Sequence, residues 1–125
     1  MTESLSERII TGRMRAEKQF VFSLFKDVSW VADYRINRKN IKNSLVAIYY
    51  TIYEQIATQR NVQVIDESVI DDDLLGKPEQ LRKAYETYGG WATIADFHEL
   101  IPSVNIQAYY DDFQRYLVFD RLNKS

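Results

Sequence analysis

The stretch "KNIKNSLVAIYYTIYEQIATQ", residues 39–59, decides the fold. Ile41, Leu45, Ile48, Ile52 and Ile56 recur at spacings of four, three, four and four, which is one face of an α-helix and incompatible with the period of two of a strand. Tyr49, Tyr50 and Tyr53 widen that stripe, so the spacing predicts a central helix over Lys39–Gln59, buried on more than one side.

Working outward, the same period returns almost everywhere. Upstream, Phe20, Val21, Leu24 and Phe25 share a face of a helix over Met14–Lys26, and a short helical turn follows near Val28–Ala32. Downstream, Val62, Val64 and Ile65 read as an extended connection. Asp66 or Ser68 then caps a short helix, because either side chain accepts from free N–H groups at a helix start. Gly76 stops that helix and Pro78 opens the next, whose apolar side carries Leu81, Ala84, Tyr85 and Tyr88. Gly89-Gly90 breaks the chain before a short helix with Trp91, Ile94 and Leu100. Beyond Pro102-Ser103, Ser103 or Asn105 caps a last helix with Ile106, Tyr109, Tyr110, Phe113, Tyr116 and Leu117 on one broad side. Every element is helical and the loops are short, so the chain reads as all-α with consecutive helices packed antiparallel. The last helix is apolar over so wide an arc that it needs two partners, and the second is either another helix of this chain or a helix of another chain.

The 125 residues suit one domain, with nine Tyr and six Phe to fill its core. Cysteine is absent, which excludes disulfides and thiolate metal sites and points to a cytoplasmic protein; no apolar run suits a membrane span or a signal peptide. Charge is unevenly spread. Residues 1–42 carry nine Lys/Arg against five Asp/Glu, a balance of +4, and residues 43–125 carry seven against thirteen, a balance of −6. Arg35, Arg38, Lys39 and Lys42 form the densest basic run and are candidate nucleic-acid contacts, although dedicated binders are usually basic overall and this chain is not.

Catalytic patterns are missing. The Gly76-Lys77 pair is followed by proline and lacks the earlier glycine of a phosphate loop. Gly89-Gly90 has no basic neighbour and reads as a helix stop. Asp71-Asp72-Asp73 are consecutive and diverge on a helix, so they read as a solvated acidic face and not as a metal site. His98 reads as lying on an exposed face without a nucleophile beside it. The sequence therefore predicts no enzyme, no cofactor and no metal.

The order of elements resembles the N-terminal domain of DnaB-type replicative hexameric helicases. The likeness spans about residues 14–122. It rests on Glu17 before the run Phe20–Phe25, the helix "NSLVAIYYTIYEQI", and Ile65-Asp66 before a small capped helix. Its closing signature is Gly89-Gly90-Trp91, Ile94, Leu100, Pro102-Ser103, Asn105-Ile106 and Tyr109, with Leu117 and Arg121-Leu122 further on. Phe22-Ser23 and "DYRINRKN" depart from the family pattern and imply a divergent member, of phage or mobile-element kind. The resemblance implies a tail over residues 1–13, a compact helical head over 14–88 and a two-helix antiparallel hairpin over 91–125. Gly89 and Gly90 would be the hinge, Pro102-Ser103 the hairpin tip, and Tyr109, Phe113, Tyr116 and Leu117 the self-association face. It also implies a collar in DNA replication, formed as a dimer or as a trimer of dimers in a hexamer. That collar would dock the primase C-terminal domain or a helicase loader in the primosome, with weak or absent direct DNA contact and no membrane. The ATPase motor is not in these residues, so the chain is either part of a longer helicase or a free-standing regulator that copies its collar.

Overall fold

The computed structural model describes residues 4–101 and 104–124. Among these residues seven α-helices follow one another: α1 (Leu5–Leu24), α2 (Trp30–Asp33), α3 (Ser44–Gln59), α4 (Glu67–Leu75), α5 (Glu79–Thr87), α6 (Trp91–Leu100) and α7 (Ile106–Lys124). A single 3-10 turn, Arg38–Asn40, precedes α3, and the described residues contain no strand.

The core forms where α1 and α7 pack on each other and α3 packs on α1. Phe20, Val21, Leu24 and Phe25 of α1 and its C-terminal cap meet Val46, Ile52 and Ile56 of α3, all of them buried. Burying each such side chain favours folding by about 1.5–3 kcal/mol. Phe113 of α7 stacks against Phe20 at 5.6 Å between ring centroids.

Three tyrosines of α3 lie in the core with their hydroxyls satisfied at its edge. Tyr49 donates to the Gly90 carbonyl at 2.8 Å, Tyr50 to the Ile36 carbonyl at 3.2 Å and Tyr53 to the Asp27 carbonyl at 2.8 Å. Each of these carbonyls belongs to a connection between helices, so one helix fastens three loops. Burial raises all three phenols above their ordinary value, which keeps them protonated as donors.

The helix of the 39–59 stretch starts later than its apolar stripe suggests, at Ser44. Asn43 takes the N-cap and its side chain accepts from the Leu45 and Val46 N–H groups. The preceding N–H groups, those of Lys42 and Asn43, donate to the Glu17 carboxylate at 2.9 and 3.0 Å. Glu17 is fully buried on α1, with the Arg13 guanidinium 3.9 Å away. A carboxylate is favoured there because the N-terminal pole of α3 carries partial positive charge and unpaired donors.

Two expectations need correction. The tail over residues 1–13 gives way to helix from Leu5, capped by Ser4, whose hydroxyl accepts from the Glu7 N–H. The last helix does not take α6 as its main partner. It packs chiefly along α1, where Arg13 donates to Asp120 at 3.0 Å. Gly12 makes that approach close, since a Cβ there would overlap the Tyr116 hydroxyl. The proposed hairpin tip, Pro102-Ser103, lies outside the described residues.

Glu17→Gln keeps the shape but turns an amide donor towards backbone N–H groups, and should lower unfolding free energy by about 1.5–3 kcal/mol. Urea denaturation measures it, and an unchanged midpoint would remove the bridge from the stability of the fold. Gly12→Ala should also destabilise, by about 1–3 kcal/mol of overpacking against Tyr116, with a lowered thermal midpoint as its readout.

Candidate functional site

The Gly-Gly pair sits in a turn that backbone hydrogen bonds define. The Gly90 N–H donates to the Tyr85 carbonyl at 2.8 Å and the Gly89 N–H to the Glu86 carbonyl at 3.1 Å, the paired closure of a helix that ends in a left-handed residue. Gly89 and Gly90 have φ of 105° and 58°, which favours glycine at both. Tyr49 ties the Gly90 carbonyl to the core, and Thr93 donates to the Tyr88 carbonyl at 2.7 Å. The pair therefore stands as a hydrogen-bonded turn that stops α5, at the place where the resemblance would set a hinge.

This turn forms one wall of a cleft of about 450 Å³ between α4, α5 and the start of α6. Glu67 and Asp71 of α4 and Glu86 of α5 line it together with Tyr85 and Trp91, and no Lys or Arg does. All three carboxylates are exposed and none has an ion-pair partner among the described residues. Tyr85 is 3% exposed, and its hydroxyl has no hydrogen-bond partner. Burial, then the nearby Tyr49, Asp71 and Glu67, raise its phenol well above the ordinary value, so it stays neutral. A phosphate would meet repulsion here. Among the described residues no group of three His, Asp or Glu is placed to hold a metal ion.

The aspartate run divides into three environments. Asp71 faces the cleft and Asp72 is exposed. Asp73 is 3% exposed and accepts from Arg60 Nε at 2.9 Å, so it is not part of a solvated face. A carboxylate that buried persists because the guanidinium compensates its lost hydration.

His98 also departs from its expected exposure. It is half-buried on α6, and its Nε2 lies 2.8 Å from the Phe22 carbonyl, which joins α6 to α1. Burial lowers its pKa below the ordinary 6.5, opposed by that carbonyl and reinforced by Lys26.

The four basic candidates, Arg35, Arg38, Lys39 and Lys42, are all exposed within the connection from α2 to α3. Arg35 is drawn to Glu54 at 3.2 Å, and Lys42 takes part in the Glu17 bridge only through its backbone. The four expected self-association residues turn inward to differing degrees. Phe113 and Leu117 are buried, Tyr116 is half-buried over Gly12, and Tyr109 is half-buried against the core. The helix that covers them is α1 of the same chain, which leaves Phe113 and Leu117 no free surface for another copy.

The apolar surface lies elsewhere. Leu5, Ile9, Phe119 and Leu122 line a groove of about 390 Å³ where the start of α1 meets the end of α7. A second groove, of about 460 Å³ between α1 and α6, is lined by Met14, Phe97, Leu100 and Ile101, with Arg15 and Lys18 at its rim. Leu5 is 69% exposed and Leu100 is 81% exposed. No helix among the described residues is long and apolar enough to cross a membrane.

No family model matches the chain, and neither a curated protein nor a solved structure matches it.

The unfolded chain binds more protons at His98 than the folded one below about pH 6.5, so stability should fall as pH drops from there through the depressed folded value. Urea midpoints at pH 7.5 and 5.5 test this. His98→Gln should flatten the difference, and an equal pH response in that variant would assign it to other groups.

Proposed function

We propose that this chain is a non-catalytic docking domain of the kind that forms the collar of a replicative DNA helicase, and that it associates with further copies of itself. The observation that carries the reading is the apolar groove of Leu5, Ile9, Phe119 and Leu122. Exposed leucines grouped on one surface, unlike scattered ones, suit a contact with another protein. The resemblance of Gly89–Tyr109 to the collar signature supplies the choice of partner: a second copy, with primase or a helicase loader docking on the assembly.

The self-association face in this reading moves from the buried side of α7 to the joint end of α1 and α7. A symmetric pairing of that end would set leucine against leucine across a two-fold axis, the commonest arrangement of homo-oligomers. The groove at Leu100 remains for a different protein. Such a domain acts by holding partners in place and needs no reacting group.

The basic connection supports a second reading, a weak nucleic-acid contact. Arg38, Lys39 and Lys42 are exposed with no ion pair among the described residues. It requires an affinity for DNA that falls steeply with salt and is lost when these three are changed to Ala.

Sedimentation velocity over a concentration series tests the leading reading. The chain should sediment as a dimer or larger. Leu5→Asp should shift it to monomer with helicity unchanged, because an acidic residue is welcome in the first turn of a helix. Leu100→Asp should leave self-association intact. A wild-type chain that stays monomeric at every concentration would overturn the reading.

A further inference from the structure

The groove between α1 and α6 is left open by the self-association proposed above. Met14, Phe97, Leu100 and Ile101 form its apolar floor, and Leu100 is almost wholly exposed. Apolar side chains grouped in this way mark contact surfaces, where scattered ones do not. The groove is also held from within. Phe97 packs edge-on to Phe22 at 5.5 Å between ring centroids, and His98 Nε2 lies 2.8 Å from the Phe22 carbonyl. These contacts tie α6 to α1, so the groove exists before anything fills it and binding orders little of the protein.

The second, independent feature is the distribution of charge. Arg15 and Lys18, one turn apart on α1, line the groove, and no Asp or Glu does. Both are exposed and neither has an ion-pair partner among the described residues. The α6 side carries no Lys or Arg. Asp96 and Glu99 are exposed on that helix without lining the groove, and its C-terminal pole at Leu100 carries partial negative charge. Positive charge therefore stands on the α1 edge alone.

We infer that this groove binds an amphipathic α-helix of another protein, which lays an apolar stripe over Met14, Phe97 and Leu100 and sets acidic residues beside Arg15 and Lys18. A groove between two helices accepts a third by the same fitting of side-chain ridges that packs helices within a domain. The described residues contain no strand whose edge an extended peptide could join. Glu side chains one turn apart on the incoming helix match the three-residue spacing of Arg15 and Lys18, and this pairing fixes which edge of the helix faces α1. Met14, unbranched and polarizable, adapts to the apolar side chains it meets. A lipid surface fits less well, because an anionic membrane that attracts Arg15 and Lys18 also meets Asp96 and Glu99 beside Leu100. The inference rests on the docking role proposed above, but not on the choice of a second copy as the partner at the α1/α7 groove.

The probe is a blocked, designed helical peptide of about four turns, with Leu at every third or fourth position and Glu along one flank, followed by nuclear magnetic resonance on the whole chain. The Leu100 and Ile101 amide signals and the Met14 methyl signal should move together and saturate. The double variant Arg15→Gln, Lys18→Gln should bind about fivefold more weakly, the scale of two exposed charge pairs. Leu100→Asp should lose binding, with helicity unchanged because that side chain lies in solvent. The counterpart Arg38→Gln, Lys39→Gln removes equal charge from exposed positions outside the groove and should bind as the wild type does. Equal weakening in both double variants would reduce the effect to net charge and overturn the site. Equal affinity for a peptide with Lys in place of Glu would overturn the acidic partner. Signals that stay still at the highest soluble peptide concentration would overturn the site outright. Movement with chain concentration alone would give the groove to a second copy, and movement only with phosphatidylglycerol vesicles would give it to a lipid surface; either overturns the proposal. Sedimentation reads the α1/α7 groove separately. A monomer that binds the peptide would overturn the self-association and leave this site standing, and a dimer that ignores the peptide would do the reverse.

Discussion

The fold depends on a charge that has been taken out of water. Glu17 is fully buried, and its two oxygens receive the backbone N–H groups that lead into α3. An isolated carboxylate in such a place would be strongly unfavourable. It is tolerated because it meets backbone donors at the positive end of a helix and lies near Arg13. Arg13 in turn reaches Asp120, so one polar chain runs from α7 through α1 to the start of α3. Apolar packing supplies most of the stabilisation, and the directed bonds of Glu17 add a fixed point, where α3 begins relative to α1.

The three tyrosines of α3 extend the same logic to the loops. Their rings serve the core, with Tyr49 edge-on to Phe22 at 5.2 Å and Tyr53 edge-on to Phe25 at 5.4 Å. Their hydroxyls donate to carbonyls in three connections between helices. One of those connections is the glycine turn, and the cleft inherits its shape from it. The shape of a surface cleft is thereby held by the core helix α3.

The legible parts of the sequence are those whose cause is local. The α3 stripe from Leu45 onward, the Asp66 cap and the boundary between Gly76 and Pro78 all appear as the spacing implies. The start of α1 is hard to read because "SERIITGRMR" mixes charges with a glycine, a poor helix former. Gly12 is explained only by Tyr116, more than a hundred positions away. The partner of α7 is equally invisible in one dimension: a wide apolar arc states that something covers it, not what. The cleft is hidden for a similar reason. Glu67 and Asp71 precede Glu86 by a whole helix and a turn, and each alone resembles an ordinary solvated carboxylate. The tyrosine content was the available signal, since so many hydroxyls in a small core cannot all find partners inside it.

The antiparallel contact between α1 and α7 has a consequence for how the protein is made. Arg13 and Asp120 stand 107 positions apart, so the longest helix and the last one meet only after nearly the whole chain exists. Closing so large a loop carries an entropy cost that contacts within α3 to α6 do not share. During synthesis Phe20 and its neighbours must wait with one side uncovered until α7 emerges. The interval between the first helix and the last is thus a period of exposed aromatic surface, and the order in which the helices are translated governs how long it lasts.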